Sequence, residues 1–451
     1  MRIHIIACGG AVMHNLTIAL HLAGHQVTGS DDEIYNPAKD KLAQFNLLPK
    51  TGWYPEILNT TIDLVIVGMH AKKDNPELAM ALQLKLNVMS YPQYIAMHAK
   101  DKKRVVVAGS HGKTTTTSMI MHVLKFNKVN YDYLVGAPLD GFELMIRLSE
   151  APLIIIEGDE YLSAPNDPKP KIWHYNPHIT IITGIAWDHI NVFPTYKQYT
   201  SVFKTYLENL PEQAKVFFYK NDPDLHNIIN ELTRKDLKIL AYQAYPATMR
   251  NHNVSLIFEN KAFDIELFGN HNLENIQACV HVCKELGLEE QDILSALISF
   301  KGAAKRMQPL YLTDDQKIYL DFAHAPSKAK ATLKAVRAQW PEYKLIAILE
   351  LHTFSSLNKE FIPQYRNVLD AADEAIVFFN KHTLEIKRMP DLEPEYIRSS
   401  FARKDLFVYR ENSELERYLT DLRRDRIVVL FMSSGTFNGL DIKTWATENH
   451  F

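Results

Sequence analysis

The sequence predicts an α/β protein of three domains, each built on a mostly parallel sheet covered by helices. Short apolar, β-branched runs alternate with helical periods along nearly the whole chain, as where crossover helices join parallel strands. The chain has 451 residues, about three times the ~150 residues of a usual domain. We therefore expect a Rossmann-like domain at 1–100, a central phosphate-loop domain at 101–306 and a doubly wound, Rossmann-like domain at 307–451.

The composition excludes two broad classes of protein. Fifty Lys and Arg residues against 53 Asp and Glu residues give a net charge of −3, so no broad positive surface for nucleic acid is expected. The apolar runs are far shorter than the ~20 residues that cross a membrane, and residues 1–10 are too short for a secretory signal. Three cysteines cannot form a disulfide framework, which favours a reducing cytoplasm.

The first block of the chain predicts strands and helices in alternation. Apolar runs at 3–7, 27–29 and 64–67 predict strands, and the helical period at 13–23 predicts a helix between the first two. The block ends near a Tyr-Pro turn at 91–92 and a charged segment at 100–104.

The second block opens with a strand at 104–108 that runs into a glycine-rich loop. The other elements predicted in this block are strands at 153–157 and 179–183, a hairpin of 255–258 with 262–267, and helices at 272–286 and 291–299. A basic, glycine-containing segment at 300–308 predicts a linker.

The third block again alternates strand and helix, which predicts a doubly wound domain of ordinary size. Its predicted strands are 318–320, 345–349, 375–379, 406–409 and 427–432. Its predicted helices are 327–338, 360–371 and 414–422.

The sharpest local motif is the loop that joins the strand at 104–108 to the next helix. It reads Gly109-Ser110-His111-Gly112-Lys113-Thr114-Thr115. Backbone N–H groups of such a loop, with the N-terminus of the following helix, form a cradle for phosphate. Lys113 is predicted to reach the terminal phosphates, and the hydroxyl of Thr114 or Thr115 to bind Mg²⁺. The loop is shorter than the usual phosphate loop, because Val107 stands at the position of its first glycine.

Acidic and histidine residues follow three predicted strands. Glu157-Gly158-Asp159-Glu160 ends the strand at 153–157, where carboxylates face the ligand crevice of α/β folds. Mg²⁺ prefers such oxygens, and a solvated acidic turn is the alternative. Asp188-His189 follows the strand at 179–183, with His189 either a ligand or a structural histidine, and Asp321 with His324 follows the strand at 318–320.

Two further polar clusters lie between these motifs. Gly269-Asn270-His271-Asn272, with Asn275 beyond it, begins a helix, and a simple N-cap at Asn270 or Asn272 is the alternative to a binding role. Lys305-Arg306 either clamps phosphate or belongs to an exposed linker.

In this order, the motifs resemble those of the ATP-dependent Mur ligases of peptidoglycan synthesis and recycling. The family pattern of G-T-x-G-K-T-T, E-[AG]-D-E, D-H, G-x-H-N-x-x-N, a basic pair and D-[YF]-A-H-x-P is met from Gly109 onward, and the resemblance spans all three domains. It implies that Lys113 binds the ATP phosphates, that Thr114 and Glu157 hold Mg²⁺, and that His189 completes the metal site. Lys113, Glu157 and His189 are therefore the expected catalytic residues.

The resemblance also implies where the rest of ATP binds. His271 and Asn275 would hold adenine, Arg306 would approach the phosphates, and Asp321 would bind ribose with His324 close by. The expected ATP-binding set is Gly109, Ser110, His111, Gly112, Lys113, Thr114, Thr115, His271, Asn275, Arg306, Asp321 and His324.

The first block is similar to the Rossmann-type UDP-binding domain of Mur ligases that take UDP-N-acetylmuramate. Cys8, Gly9 and Gly10 after the first strand, and Ser30 and Asp31 after the second, are the residues expected at the UDP-sugar. Short stretches at 34–37, 74–77, 90–92 and 431–437 are most similar to members that join the tripeptide L-Ala-γ-D-Glu-meso-diaminopimelate to this sugar. Members that add L-alanine are the alternative.

Several positions depart from the family pattern. Ala7 stands where the first loop glycine is usual, Gly184 where an Asn precedes the Asp-His pair, and Asn191 where an Asp follows it. Segments 162–167 and 351–353 lack the basic residues of the tripeptide ligases, which leaves the peptide preference open. A Mur-like protein that binds nucleotides without ligating is therefore a second alternative.

The chemistry implied by the resemblance is acyl activation with ATP and Mg²⁺ as cofactors. The lactyl carboxylate would attack the γ-phosphoryl group, and the amine would then attack the acyl phosphate. Lys204, on a predicted helix, is a candidate for a carbamylated Mg²⁺ ligand, with a solvated lysine as the favoured interpretation. A dinucleotide oxidoreductase is excluded because its site does not need a Gly-Lys-Thr-Thr loop. Monomer and homodimer both stay open, as does contact of His111 with phosphate or sugar.

Overall fold

The computed structural model describes residues 1–187, 190–250, 252–303, 305–422 and 425–448. It confirms the α/β class, with mostly parallel sheets. The chain divides into two compact units. The first holds Met1–Ile185, Thr200–Gln243 and Gln277–Ala296, and the second holds Ala186–Tyr199, Ala244–Ile276 and the chain from Leu297 onward. The expected three-domain boundaries remain a prediction.

The first unit begins with a four-stranded parallel sheet. In chain order its elements are β1 (Arg2–Ile6), α1 (Ala11–Leu22), β2 (Gln26–Ser30), α2 (Ala38–Gln44), β3 (Leu64–Val67), α3 (Pro76–Gln83), β4 (Val88–Ser90) and α4 (Tyr91–His98), with a 3₁₀ turn at Pro55–Ile57. The strand order is β2-β1-β3-β4, and every pair is parallel. All four residues of β3 are buried, as expected for a central strand covered on both faces.

A seven-stranded sheet follows the four-stranded sheet in the first unit. In chain order the elements from here to the unit's last strand are β5 (Lys103–Ala108), α5 (Lys113–Phe126), β6 (Asp132–Leu134), β7 (Ile146–Arg147), β8 (Leu153–Glu157), β9 (Leu162–Ala164), β10 (Asp167–Pro170), a 3₁₀ turn at Lys171–His174, β11 (Ile179–Ile182), α6 (Tyr196–Glu208), β12 (Lys215–Tyr219), α7 (Pro223–Asn230) and β13 (Lys238–Tyr242). The order is β13-β12-β11-β5-β8-β6-β7, with only the β6–β7 pair antiparallel. β9 and β10 pair with each other. The carboxyl ends of β5, β8 and β11 therefore meet at one edge.

The second unit contains an antiparallel sheet and a larger, mostly parallel one. The antiparallel strands are β14 (Ala247–Arg250), β15 (Asn253–Phe258) and β16 (Lys261–Ile265), and they are followed along the chain by α8 (Asn270–Glu285) and α9 (Glu290–Leu297). The predicted hairpin is β15 with β16, and β14 adds a strand that the sequence analysis did not predict.

The larger sheet of the second unit has six strands. Its elements are β17 (Gln308–Leu312), β18 (Gln316–Asp321), α10 (Pro326–Gln339), β19 (Lys344–Glu350), a 3₁₀ turn at Ile362–Tyr365, β20 (Glu374–Phe378), α11 (Lys381–Ile386), α12 (Pro394–Phe401), β21 (Phe407–Tyr409), α13 (Asn412–Asp421), β22 (Ile427–Met432), a 3₁₀ turn at Phe437–Gly439 and α14 (Ile442–Glu448). The order is β17-β18-β22-β19-β20-β21, with β17 antiparallel. Aliphatic residues of the central strands pack with Phe437 and Trp445 in one core.

One predicted helix is wrong. The segment 360–371 forms a single 3₁₀ turn, Ile362–Tyr365, followed by further turns instead of an α-helix. Asn367 has a φ of +58°, a left-handed conformation that ends a right-handed helix. The apolar residues of this segment are buried all the same, which explains the helix-like period of its sequence.

Among the described residues, none of the helices has the length and apolar character that crossing a membrane requires.

Candidate active site

The loop between β5 and α5 has the backbone that a phosphate cradle needs. Gly109 has a φ of +119° and Gly112 has a φ of +71°, and residues other than glycine rarely adopt these backbone conformations. Gly112 is the N-cap of α5 and supplies no capping side chain, and the first turn carries no acidic residue. The first N–H groups of α5, with the positive end of its dipole, therefore suit an anion.

Lys113 lies at the start of α5 with its side chain 14% exposed. Its ammonium lies 2.7 Å from Glu160 Oε2 and also donates to the Gly109 carbonyl. Burial, the largest single influence, lowers the pKa of Lys113, but the nearby charges of Glu160 and Asp159 outweigh it, so this pKa is raised. The lysine is therefore cationic at neutral pH, as binding of a polyphosphate requires.

Thr114 and Glu157 form an oxygen-rich corner beside this loop. Val107 of β5 lies opposite Glu157 of β8 in the parallel register, which brings the carboxylate to the loop. The Thr114 hydroxyl donates to Glu157 Oε1 at 2.8 Å, and the Gly136 N–H donates to Glu157 Oε2 at 2.8 Å. Hard oxygen donors of this kind fit Mg²⁺, which usually keeps few protein ligands beside phosphate and water. Within the described part of the chain, no group of three His, Cys, Asp or Glu side chains suits a metal.

A second ion pair lies next to Lys113. The Lys171 ammonium lies 2.5 Å from Asp159 Oδ2 and 5.7 Å from the ring centres of both Tyr91 and Tyr161. Burial opposes the charge on Lys171, but Asp159 outweighs it and the pKa of this lysine is raised. The sequence placed Asp159 and Glu160 at the end of a strand, but it predicted neither of these two ion pairs.

The residues expected at the UDP-sugar come together at the carboxyl ends of β1 and β2. The Gly9 N–H donates to Asp31 Oδ2 at 2.7 Å, and the Cys8 N–H donates to the Ser30 carbonyl at 3.0 Å. Gly10 is the N-cap of α1, again without a capping side chain. Burial raises the pKa of the Cys8 thiol to about 12, so this cysteine is a packing residue and no nucleophile.

Ala7, where the related loops carry glycine, adopts a left-handed φ of +63°. The turn thus keeps the backbone path of a glycine at a cost of about 1 kcal/mol. The departure at this position is a strained residue in an otherwise ordinary loop.

Glu77 supports the same loop, a role that was not predicted although the residue lies in the stretch 74–77 quoted above for the family resemblance. Its fully buried carboxylate accepts from the Ser30 hydroxyl and from the Tyr54 N–H at 2.6 Å, and lies 3.3 Å from His4 Nε2. Burial raises the pKa of Glu77, but these contacts outweigh it and the pKa is lowered. A sequence signal exists only for the helix, because Asn75-Pro76 is a typical N-cap and first position.

In the second unit, Asp321 ends β18 and organises the linker before it. Its carboxylate accepts from the Met307 N–H at 2.6 Å and from the Ala323 N–H at 2.7 Å. The Thr332 hydroxyl lies 3.3 Å away. Two backbone donors already orient this carboxylate, so the linker and strand share one anchored corner.

The other residues expected at adenosine lie around this corner or on α8. The Arg306 guanidinium lies 4.4 Å from the centre of the Phe322 ring, and His324 Nδ1 is 2.9 Å from the Phe322 carbonyl oxygen. Burial lowers the pKa of His271 while the charge of Asp321 opposes that shift. His271 is therefore neutral at pH 7, a suitable state for hydrogen bonding to a base. Asn275 is buried on α8.

A buried carboxylate stands at the carboxyl end of β19 in the same sheet. Glu350 is 2% exposed and accepts from the Ser433 hydroxyl and, at 3.0 Å, from the Phe437 N–H. His352 Nδ1 lies 3.7 Å from Glu350, and burial lowers the pKa of this histidine. The segment 351–353, which departs from the tripeptide ligases in sequence, therefore directly follows a buried acid.

The expected residues are not all placed. Asp188 and His189 lie outside the described residues. The ammonium of Lys204 lies 2.7 Å from Glu231, with side chains 43% and 63% exposed, an arrangement that lends no support to a carbamylated ligand. The phosphate loop, Thr114 and Glu157 are in the first unit, and His271, Arg306 and Asp321 are in the second.

Three family models match successive parts of the chain. The Mur ligase family catalytic domain matches residues 2–103, the Mur ligase middle domain 107–283, and the Mur ligase glutamate ligase domain 305–435. Together they leave few residues of the chain unmatched.

Individual relatives extend over most of the chain. A UDP-N-acetylmuramate–L-alanine ligase of Halorhodospira halophila is 27% identical, covering 97% of this chain and 92% of the relative. A UDP-N-acetylmuramate–L-alanyl-γ-D-glutamyl-meso-2,6-diaminoheptandioate ligase of Escherichia coli is 29% identical, covering 78% and 79%. The crystal structure of a UDP-N-acetylmuramate–alanine ligase from Thermotoga maritima has a TM-score of 0.73 at 20% identity, covering 100% and 99%, which shows the fold alone.

Proposed function

The chain belongs to the Mur ligase family, whose members are ATP-dependent carboxylate–amine ligases. We propose that it joins UDP-N-acetylmuramate to the tripeptide L-Ala-γ-D-Glu-meso-diaminopimelate. The new amide links the lactyl carboxylate of the sugar to the α-amine of the peptide. The observation that carries the activation step is the placement of Lys113, Thr114 and Glu157 around one glycine-rich loop.

The residues of the loop have separate tasks in this proposal. The N–H groups at the start of α5 and the Lys113 ammonium bind and orient the γ-phosphate of ATP. Thr114 and Glu157 would hold Mg²⁺, which when bound neutralises phosphate charge. Glu160, now paired with Lys113, is the counter-ion that the phosphate would replace. His189 as a further metal ligand stays a prediction.

The reaction then proceeds in two steps. A lactyl carboxylate oxygen attacks the γ-phosphorus, the bond from that phosphorus to the β–γ bridging oxygen breaks, and ADP leaves. The neutral amine of the peptide attacks the acyl carbon, a proton leaves the nitrogen, and inorganic phosphate departs from the tetrahedral intermediate. Loop residues Cys8 to Gly10, with Ser30 and Asp31, are proposed to hold the UDP-sugar, and His271, Asn275, Arg306, Asp321 and His324 to hold adenosine and approach the phosphates.

We prefer the tripeptide over L-alanine because the stretches at 34–37, 74–77, 90–92 and 431–437 are most similar to ligases of the tripeptide. Overall identity does not separate the two donors, since the tripeptide ligase of Escherichia coli is 29% identical and the L-alanine ligase of Halorhodospira halophila is 27% identical. L-Alanine as the amine donor is the second candidate, and it is favoured by a ligase of that activity that aligns over 97% of the chain. A protein that binds nucleotides without ligating is disfavoured, because Lys113, Glu157, His189 and Asp321 of the family pattern are all present in the sequence.

The deciding experiment is a phosphate-release assay with ATP, Mg²⁺ and UDP-N-acetylmuramate, run against the tripeptide and against L-alanine. We expect turnover with the tripeptide, dependent on all three substrates. Turnover only with L-alanine would refute the donor assignment, and none with either donor would favour the binding-only alternative. Lys113→Ala should abolish turnover and leave UDP-sugar affinity within about twofold, because that ligand is assigned to β1 and β2.

The proposal also implies partners and a compartment. All substrates are small molecules, and neither nucleic acid nor a membrane is needed. The supply of ATP and UDP-sugar, together with three unpaired, buried thiols, favours the cytoplasm.

A further inference from the structure

Thr183 and Gly184, which follow β11, hydrogen-bond to the backbone of the phosphate loop. The Ser110 N–H donates to the Gly184 carbonyl at 2.8 Å. The Thr183 hydroxyl lies against the His111 carbonyl and, at 3.1 Å, the Ala108 carbonyl. The loop backbone is therefore tied to residues 183–184, about 70 positions further along the chain.

This supporting segment is anchored in turn by Asp222. The Ile185 N–H donates to Asp222 Oδ2 at 2.6 Å. The other carboxylate oxygen, Oδ1, accepts from the Asp224 and Leu225 N–H groups at 2.9 and 3.0 Å and so caps α7. Asp222 is 9% exposed, so both sets of bonds are largely shielded from water. One carboxylate thus joins the turn after β12 to the support of the phosphate loop.

Gly184 makes room for this link. Its φ is +137°, and a Cβ placed there would lie 3.3 Å from Asp222 Oδ2. The family pattern has Asn at this position, where this chain has Gly184. A hydrogen bond to a charged, buried acceptor contributes more than an ordinary one, and removing the acceptor leaves a buried N–H without a partner.

We propose that Asp222 is a positioning residue for nucleotide binding, acting through Ile185, Gly184 and Thr183 on the backbone of the loop at Gly109–Lys113. Asp222 itself touches neither substrate nor metal. The inference rests on the proposed function only in assigning nucleotide phosphates to this loop.

The competing interpretation is that Asp222 is simply the N-cap of α7. The two roles use different oxygens, so they can be separated. In Asp222→Ser the hydroxyl can still cap the helix, since Ser is as good an N-cap as Asp, but no second oxygen reaches Ile185. Asp224→Ser is the matched control, because it removes the same charge two residues along the first turn of α7.

The test measures Mg²⁺–ADP binding to the full chain by calorimetry, with UDP-N-acetylmuramate binding and melting temperature measured in parallel. For Asp222→Ser we expect ADP affinity to fall about tenfold, with UDP-sugar affinity within about twofold. Loss of a negative charge by itself would favour an anionic ligand, so weaker ADP binding has the opposite sign to a charge effect. Unchanged ADP affinity would overturn the proposal, as would an equal loss in Asp224→Ser or equal weakening of both ligands.

Thr183→Val gives a second test, because it keeps the shape of the side chain and removes the hydroxyl that contacts the loop carbonyls. This variant should also bind ADP more weakly. In the double variant with Asp222→Ser the losses should be less than additive, since both act through one support, and fully additive losses would overturn the proposal. ADP binding needs no amine donor, so a failed ligase assay would refute the proposed function and leave this test intact.

Discussion

Gly109→Ala should remove nucleotide binding through a steric conflict that no side-chain movement relieves. Gly109 has a φ of +119°, which an alanine adopts only with strain. A Cβ on this residue would lie 2.8 Å from Thr183 N and 2.9 Å from the Gly184 carbonyl oxygen, with Thr183 Oγ1 closer still. Two of these three atoms belong to the backbone, so the loop or the segment after β11 must move.

The size of the effect follows from two costs. The left-handed backbone costs an alanine about 1–3 kcal/mol. Overpacking against a rigid backbone adds about 1–3 kcal/mol. A sum of roughly 2–6 kcal/mol corresponds to a fall in melting temperature of about 4–24 °C for a unit of this size.

The assay compares Gly109→Ala with Gly24→Ala. Gly24 also has a positive φ, +85°, but a Cβ there would meet no atom within 4 Å. Gly24→Ala therefore carries the backbone cost of about 1–3 kcal/mol alone and should lower the melting temperature by about 2–12 °C. ADP affinity should be lost in Gly109→Ala and unchanged in Gly24→Ala, as measured by calorimetry.

A rescue variant tests the cause. Thr183→Ala in the Gly109→Ala background removes Oγ1 and leaves the two backbone contacts, so it should restore neither stability nor binding. The steric explanation is wrong if Gly109→Ala melts within about 2 °C of Gly24→Ala and binds ADP normally, or if Thr183→Ala restores its stability and ADP binding.

Three further outcomes are expected. Because the pKa of Glu77 is lowered, its ionised form stabilises the fold above pH 4.5, the value for an unfolded glutamate, and this contribution is lost as the pH falls through the lower folded pKa. The melting temperature should therefore fall more steeply in acid for the native chain than for Glu77→Gln. Parallel curves of melting temperature against pH would contradict this. Ala7→Gly should melt within about 3 °C of the native chain, because relief of the left-handed strain, about 1 kcal/mol, offsets loss of a buried methyl, about 0.8 kcal/mol. A larger fall would show that burial of the Ala7 methyl contributes more stability than the left-handed strain costs. Lys204→Ala should keep phosphate release within about twofold, since its ion pair is exposed. A loss that is partly restored by a small added carboxylate such as acetate, which can take the place of the carbamate group, would instead support carbamylation.

Strands such as β3, β5, β8 and β22 could be predicted because each is a short β-branched run with most of its residues buried. The strand predicted at 427–432, for example, is β22, and all six of its residues are buried. A helix was wrongly predicted at 360–371, because the apolar residues there have a helix-like spacing. Asn367 has a left-handed φ, which a right-handed helix does not allow. β14 was missed because its burial is slight, so its sequence carries no alternation to detect.

The site divides in the same way. Lys113 and Thr114 could be predicted because the loop and the start of α5 are contiguous in sequence, and Glu157 because strand ends meet at one edge. Glu77 and Asp222 could not, since their partners lie far along the chain: 73 residues separate His4 from Glu77, and 37 separate Ile185 from Asp222. An Asp-Pro pair at 222–223 signals a helix N-cap and nothing about the second oxygen.

The sequence by itself determined the α/β class, the glycine-rich loop with its lysine and threonines, and the family, because these depend on local periodicity and on residues adjacent in the chain. The tertiary structure decided which charges meet: Glu160 at Lys113, Glu77 beneath Ser30, and Asp222 at the support of the loop. Such pairings depend on strand order and register, and these are set by packing over the whole sheet. Only after the chain has folded does a carboxylate have a partner whose charge or N–H outweighs the cost of its burial.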